Sequence, residues 1–291
     1  MRRSVKQLTI ASFLAGVLLA SCAAAATDIP PRPSAGCSAA TIETGGPLQR
    51  TVDVDGVSRA YLLDVPASVT PKKPVPLLFD FHGFGHSAAG VWKVSKFHEL
   101  AARDGFITVY PDGLPVTLRG QQAAGWDIFT NEHNRDVAFT ARVLDHLEHA
   151  YCIDLARIFV TGFSNGAFFS HLLGCRMADR IAAIAPVSGG RIPPPCDPGR
   201  GVPVLIHHGR QDPRIDVADA RAARDAWIEK NGCREHVSDD CEWHRQCRDG
   251  ADVGYCEDDG VHYWPVAATE RIWKFFQAHP LAPAALGKGL Q

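Results

Sequence analysis

The alternation of apolar and polar residues changes its period along this chain. Thr51–Val57 and Arg59–Val65 alternate with period two around Asp55-Gly56, a pair suited to a tight hairpin turn, which predicts an antiparallel entry. From Val75 onward the pattern becomes short, nearly continuous apolar runs: Val75–Phe81, Phe106–Tyr110, Arg157–Thr161, Ala182–Val187 and Val202–His207. Runs of that length and β-branched content predict strands covered on both faces. Between and after them, helical spacing takes over. In Asp136–Tyr151, Phe139, Val143, Leu147 and Tyr151 recur every four residues, and helices are also predicted at Asn165–Met177, Val217–Asn231 and Ala267–Ala278. Strands alternating with helices specify an α/β class: a mostly parallel central sheet, entered through an antiparallel N-terminal hairpin, with helices on both faces.

The ends of the chain read differently. Arg2, Arg3 and Lys6 precede the apolar stretch Leu8–Ala20, which is short for a bilayer span but suits a signal peptide, assigned to residues 1–21. Leu19-Ala20-Ser21-Cys22 resembles the lipobox of bacterial lipoproteins, in which the cysteine is acylated. The small residues Ala23–Ala26 suit ordinary cleavage instead, and both readings export the protein. Residues 22–46, rich in Pro, Ala, Thr and Gly, are expected to be an anchor or linker, 47–278 the catalytic domain, and 279–291 a flexible tail.

Cysteine usage agrees with export. Setting Cys22 aside leaves eight: Cys37, Cys152, Cys175, Cys196, Cys233, Cys241, Cys247 and Cys256. An even number suits a disulfide-stabilised domain in an oxidising compartment, with the pairing left open. A metal cluster of Cys233, Cys241, Cys247 and Cys256 with His236 and His244 is the rival reading, but the cysteines lack the close spacing of zinc clips, and no metal or cofactor is expected. A net charge of −2 without a basic stretch argues against nucleic-acid binding. Membrane contact is expected only through a lipid at Cys22.

The candidate chemistry lies in three segments. Gly162-Phe163-Ser164-Asn165-Gly166 follows a predicted strand and precedes a predicted helix, as a nucleophile elbow requires. Upstream, Asp80-Phe81-His82-Gly83-Phe84-Gly85 ends another strand with a His-Gly pair, where the chain can turn a backbone N–H toward a substrate carbonyl. This makes Phe84 and Asn165 the expected oxyanion-hole donors. Downstream, Asp212 follows a buried strand, with Asp216 as the second choice, and His262 precedes the last helix. The order serine, acid, histidine is that of α/β-hydrolases. Trp126 and Trp264 are candidates for lining a substrate pocket, with core packing or a surface patch as the alternative for each. His207 and His208 read as core residues, and Asp112 and Asp127 as turn and loop residues. The loop Arg191–Gly201 is too short for a helical lid, so an open site is expected.

These motifs together resemble the polyhydroxybutyrate depolymerase family of esterases and the related fungal feruloyl esterases. The resemblance rests on Phe81-His82-Gly83, Val109–Gly113, Tyr151–Asp154, Thr161–Ala167, His208–Asp212 and Gly260–Pro265. It implies a serine esterase with Ser164, Asp212 and His262 as its triad. Two departures stand out: Phe84 within the oxyanion loop, and Val261 where a glycine often precedes the histidine. The expected substrates are feruloyl, acetyl or short hydroxyacyl esters, polysaccharide-linked or oligomeric. A serine peptidase of the same fold and a non-catalytic surface lipoprotein are the alternatives.

Overall fold

A computed structural model describes residues 29–130 and 132–283. The signal peptide and Cys22 lie outside the described residues. Ten strands form one sheet: β1 (Gly45–Val54), β2 (Val57–Val65), β3 (Val75–Phe81), β4 (Ile107–Pro111), β7 (Ile153–Phe163), β8 (Ala183–Val187), β9 (Val204–Gly209), β10 (Glu235–Ser238), β11 (Glu242–Arg245) and β12 (Val253–Asp258). Their order is β1-β2-β4-β3-β7-β8-β9-β12-β11-β10. The six strands from β4 to β12 run parallel, and antiparallel pairs finish both edges. Asp55 and Gly56, at the β1–β2 turn, both have positive φ (53° and 81°), as a two-residue turn matched to strand twist requires.

The strands are apolar on both faces because each face has its own core. Leu77, Phe79, Ile158, Val160, Val204 and Ile206 point to one side, where they meet α3 (Arg135–Ala150), α4 (Asn165–Arg176) and α5 (Val217–Asn231). The residues between them, Leu78, Phe159 and Leu205, point to the other, against α2 (Phe97–Asp104) and α6 (Ala268–Ala278). A short α1 (Ala88–Ser95) precedes α2. A separate hairpin, β5 (Leu114–Leu118) and β6 (Gln121–Gly125), stands outside the main sheet.

After β3 the chain moves outward to β4 and then returns on the other side of β3 as β7. Such a reversal opens a crevice at the carboxyl ends of the two strands, the usual place for a ligand in an open parallel sheet. Here β3 ends at Phe81, which is paired in register with Gly162, one residue before the end of β7.

The expected linker is corrected in its described part. Residues 29–46 lie on the body: Cys37 is disulfide-bonded to Cys152, Ser34 Oγ donates to Tyr151 O and accepts from Ile153 N, and Arg32 N donates to Asp154 Oδ1. The side-chain hydroxyl and the disulfide give a segment poor in apolar residues a fixed seat. The described start of the tail is docked as well, with Leu281 buried and its N–H donating to Ala156 O. All eight cysteines are paired, as Cys37–Cys152, Cys175–Cys196, Cys233–Cys247 and Cys241–Cys256. The first spans 115 residues, a loop for which the chain-entropy account gives about 4–5 kcal/mol.

Candidate active site

At the end of β7 the chain turns sharply through Ser164, whose φ and ψ are 55° and −115°. A side-chain-bearing residue holds such a conformation only when its surroundings enforce it. Here they do so by close packing. A Cβ on Gly166 would lie 2.1 Å from Phe81 O, and one on Gly162 would lie 2.5 Å from Gly166 O. Only glycine at both positions lets α4 start directly beside the end of β3. Ser164 N donates to Val187 O at 2.9 Å, which anchors the turn to β8.

The loop after β3 faces this turn, since a Cβ on Gly83 would sit 3.3 Å from Ser164 Cβ. The N–H groups of Phe84 and Asn165 have no acceptor among the described residues. Asn165 also caps the backbone of Trp126: its Oδ1 accepts from Trp126 N at 2.7 Å and its Nδ2 donates to Trp126 O at 3.2 Å. His82 supports the loop from behind. Its Nε2 accepts from Gly113 N at 3.0 Å, so the ring proton resides on Nδ1, which donates to Gly83 O at 2.7 Å. That carbonyl belongs to the same peptide plane as the Phe84 N–H. The imidazole is fully buried, and burial pushes its pKa down, favouring this neutral form.

Asp212 and His262 are fifty positions apart in sequence but emerge from adjacent parallel strands. In the β9–β12 ladder His208 pairs with Glu257 and Gly209 with Asp258. The loops beyond are stitched together: Arg210 N donates to Asp258 O at 2.7 Å and Gln211 N to Gly260 O at 2.9 Å. Gly209 is required there, because a Cβ would lie 2.4 Å from Gly260 O. Asp212 Oδ2 accepts from His262 Nδ1 at 2.6 Å, while Oδ1 accepts from the N–H groups of Arg214 (2.8 Å) and Ile215 (3.0 Å). Burial alone would raise the carboxyl's pKa, but these hydrogen bonds outweigh it and hold the group below its usual value. Asp216, the second choice for the acid, instead caps α5 by accepting from Ala218 N.

With Nδ1 committed to Asp212, the Nε2 of His262 is left as the basic nitrogen. The ring centroid of His262 is 4.8 Å from that of Phe163, the residue before Ser164. No hydrogen bond joins Ser164 Oγ to His262 among the described residues. Contacts of this kind often tighten only when substrate binds.

For the two tryptophans the pocket reading is corrected and the packing alternative stands. Trp126 is completely buried, its Nε1 donating to His82 O and its ring packed on Phe81 and Phe169. Trp264 lies under α6, 8% exposed, with Nε1 donating to Thr269 Oγ1 and its ring edge-on to Phe97. Both are therefore packing residues rather than pocket walls. His207 belongs to the core, where burial lowers its pKa to about 3. Asp112 accepts from Ala88 N at the start of α1, and Asp127 accepts from Phe129 N and Thr130 N.

Sequence reasoning missed four supporting elements. His82 was visible only as part of the His-Gly pair, with no signal for its ring. Ser188, φ 51°, donates from Oγ to Tyr263 O at 3.1 Å and so holds the histidine loop from beneath. His208 Nε2 donates to Ile215 O at 3.1 Å, closing the acid loop. The fourth is the β5–β6 hairpin. Gly85 N donates to Ala124 O at its base, and Arg119 near its tip donates to Arg214 O. Arg119, at its turn, is one of the residues lining a cleft of about 570 Å³, together with Phe168, Asp212, Arg214, Ile215 and others. The alternating Leu114, Val116 and Leu118 were the available signal, obscured by Pro115 and an Arg-Gly turn.

Comparison with known proteins gives the family. Residues 65–250 match the phospholipase/carboxylesterase family. Feruloyl esterase D of Neurospora crassa is 30% identical over 214 residues, which cover 69% of each chain. Feruloyl esterase B of Piromyces equi is 28% identical over 232 residues, 69% of this chain but 42% of its own length. The bifunctional acetylxylan esterase/xylanase of Neocallimastix patriciarum is 29% identical over 157 residues, 54% of this chain and 22% of its own. Among solved structures, an acetyl xylan esterase from Aspergillus awamori superposes with a TM-score of 0.65 at 14% identity, over 79% of this chain and 99% of that one, a likeness of fold. The chain belongs to the phospholipase/carboxylesterase family of α/β-hydrolases and is a carboxylic ester hydrolase.

Proposed function

We propose that the protein is an exported serine esterase that cleaves feruloyl, acetyl or short hydroxyacyl esters on polysaccharide or oligomeric substrates through an acyl-enzyme. The observation that carries the reading is the His262–Asp212 hydrogen bond, 2.6 Å long, beside a strained serine at a strand-to-helix turn. His262 Nε2 takes the Ser164 proton as Oγ attacks the ester carbonyl carbon. Asp212 holds the imidazole in the matching tautomer and stabilises its charged form. The N–H groups of Phe84 and Asn165 receive the developing oxyanion, the latter at a helix N-terminus whose dipole adds to the effect. His262 then protonates the leaving alcohol, and water repeats the sequence on the acyl group.

The names of the relatives support acyl groups of feruloyl and acetyl type. The cleft beside Asp212, with Phe168 one helical turn beyond Ser164, gives room for a bulky partner on one side of the ester. Four disulfides support an oxidising compartment, and a lipid on Cys22 is the proposed anchor. Initial rates on methyl ferulate, acetylated xylan and hydroxybutyrate oligomers test the substrate class, and folded protein inert on all three would overturn it. A fluorophosphonate probe should label the native protein at Ser164. Unlabelled folded protein would overturn the nucleophile.

A further inference from the structure

We propose that the β10–β11 hairpin carries a binding site for a zinc-class divalent metal, made by His236, Glu242 and His244. This site lies at the opposite edge of the sheet from the N-terminal hairpin and is separate from the triad. In the antiparallel ladder His236 pairs directly with His244, and Ser238 with Glu242. Side chains alternate faces along a strand, so His236, Glu242 and His244 share one face. Their ligand atoms all lie within 4.8 Å of one another. Glu242 Oε1 is 2.9 Å from His244 Nε2 and 3.5 Å from His236 Nε2. A tetrahedral ion with bonds of about 2.0–2.1 Å needs ligand atoms roughly 3.4 Å apart, so only small rotations of the side chains are required.

The surroundings fix this arrangement before any metal arrives. Cys233–Cys247 closes the base of the hairpin and Cys241–Cys256 ties it to β12. On the other face Trp243 packs against Gly254, where a Cβ would lie 2.6 Å from the indole, and its ring centroid is 6.1 Å from that of Phe275. Arg224 holds the second oxygen of Glu242 at 2.8 Å and leaves Oε1 turned toward the histidines. His236 is 55% exposed, so an ion has an approach from solvent and an open fourth position for water. The neighbouring cysteines are all in disulfides and offer no thiolate. Two imidazoles and one carboxylate select zinc, nickel or copper over magnesium or calcium. On binding, the proton between His244 Nε2 and Glu242 is displaced, and the imidazole binds as its Nδ1–H tautomer.

Titration of the purified full-length protein with zinc against a chromogenic chelator tests this. One zinc per chain is expected, with a higher Tm in zinc and none of that rise in magnesium. His236→Ala and His244→Ala should each weaken the affinity by about tenfold or more, at least as much as outer-sphere changes do at metal sites. Both variants should keep the metal-free Tm near that of the parent and the same esterase rate, because neither residue touches the triad. Less than one zinc per chain, or parental affinity in both variants, would overturn the site and indicate an adventitious ion only.

Discussion

The two halves of the proposed catalytic centre are built by different means. The serine half is local: strand, turn and helix follow one another in sequence, and two glycines press that turn onto the end of β3. The acid–base half is assembled at a distance, from two loops that meet because β9 and β12 are neighbours. Its fit depends on backbone hydrogen bonds between the loops and on Ser188 and His208 beneath them. A turn forced by sterics tolerates little change in shape but needs few partners. A pair of stitched loops needs many partners, each weak by itself.

Ser164→Ala probes the first half most severely and should lower kcat by about a million-fold in an ester hydrolysis assay, as loss of the nucleophile does in serine hydrolases. The variant should keep its Tm, since Ser164 Oγ makes no hydrogen bond among the described residues. Asp212→Asn probes the second half. The amide cannot accept from His262 while also accepting from Arg214 and Ile215 without turning its own N–H toward one of them, so the imidazole loses its tautomer. Here kcat should fall by about ten-thousand-fold. If Asp212→Asn cost less than tenfold, Asp212 would not be the triad acid.

His82→Ala separates position from contact. The ring touches no reacting atom but fixes the peptide that carries the Phe84 N–H. The expected loss is about a hundredfold in kcat with KM nearly unchanged, comparable to misplacing one oxyanion donor. A rise in KM at constant kcat would show that the ring shapes the binding cleft instead.

The smallest effect is on stability. Asp80, just before this loop, is buried without a partner for either carboxylate oxygen, and burial, outweighing the nearby Ser95 hydroxyl, pushes its pKa up to about 7. The folded protein keeps this proton while the unfolded chain, with an ordinary value of 3.8, releases it. The stabilisation is therefore complete below the unfolded value and is lost as pH rises toward about 7. Asp80→Asn should flatten that part of the Tm-against-pH curve. An unchanged slope would mean that Asp80 ionises normally in the folded state.

The sequence by itself determined the class of fold and most of the serine half. Apolar period marked five of the six parallel strands and four of the six α-helices, because covered strands and amphipathic helices must carry those patterns. The G-x-S-x-G run was legible because its residues fall within five consecutive positions, although the contact that requires Gly166 is with the distant Phe81 O. What lay beyond the sequence was whatever depends on contacts between distant segments. Short α1 and α2, the polar edge hairpin of β10 and β11, and β12 with its single glycine gave too little periodicity to read. Without β12, nothing in the sequence explained why His262 should reach Asp212. The tryptophans show the same limit: the sequence left Trp126 and Trp264 open between pocket wall and core, and packing made them core. The pairing of eight cysteines was likewise settled only by which chain segments the sheet brings together, since sequence spacing carries no information about neighbours across a strand ladder.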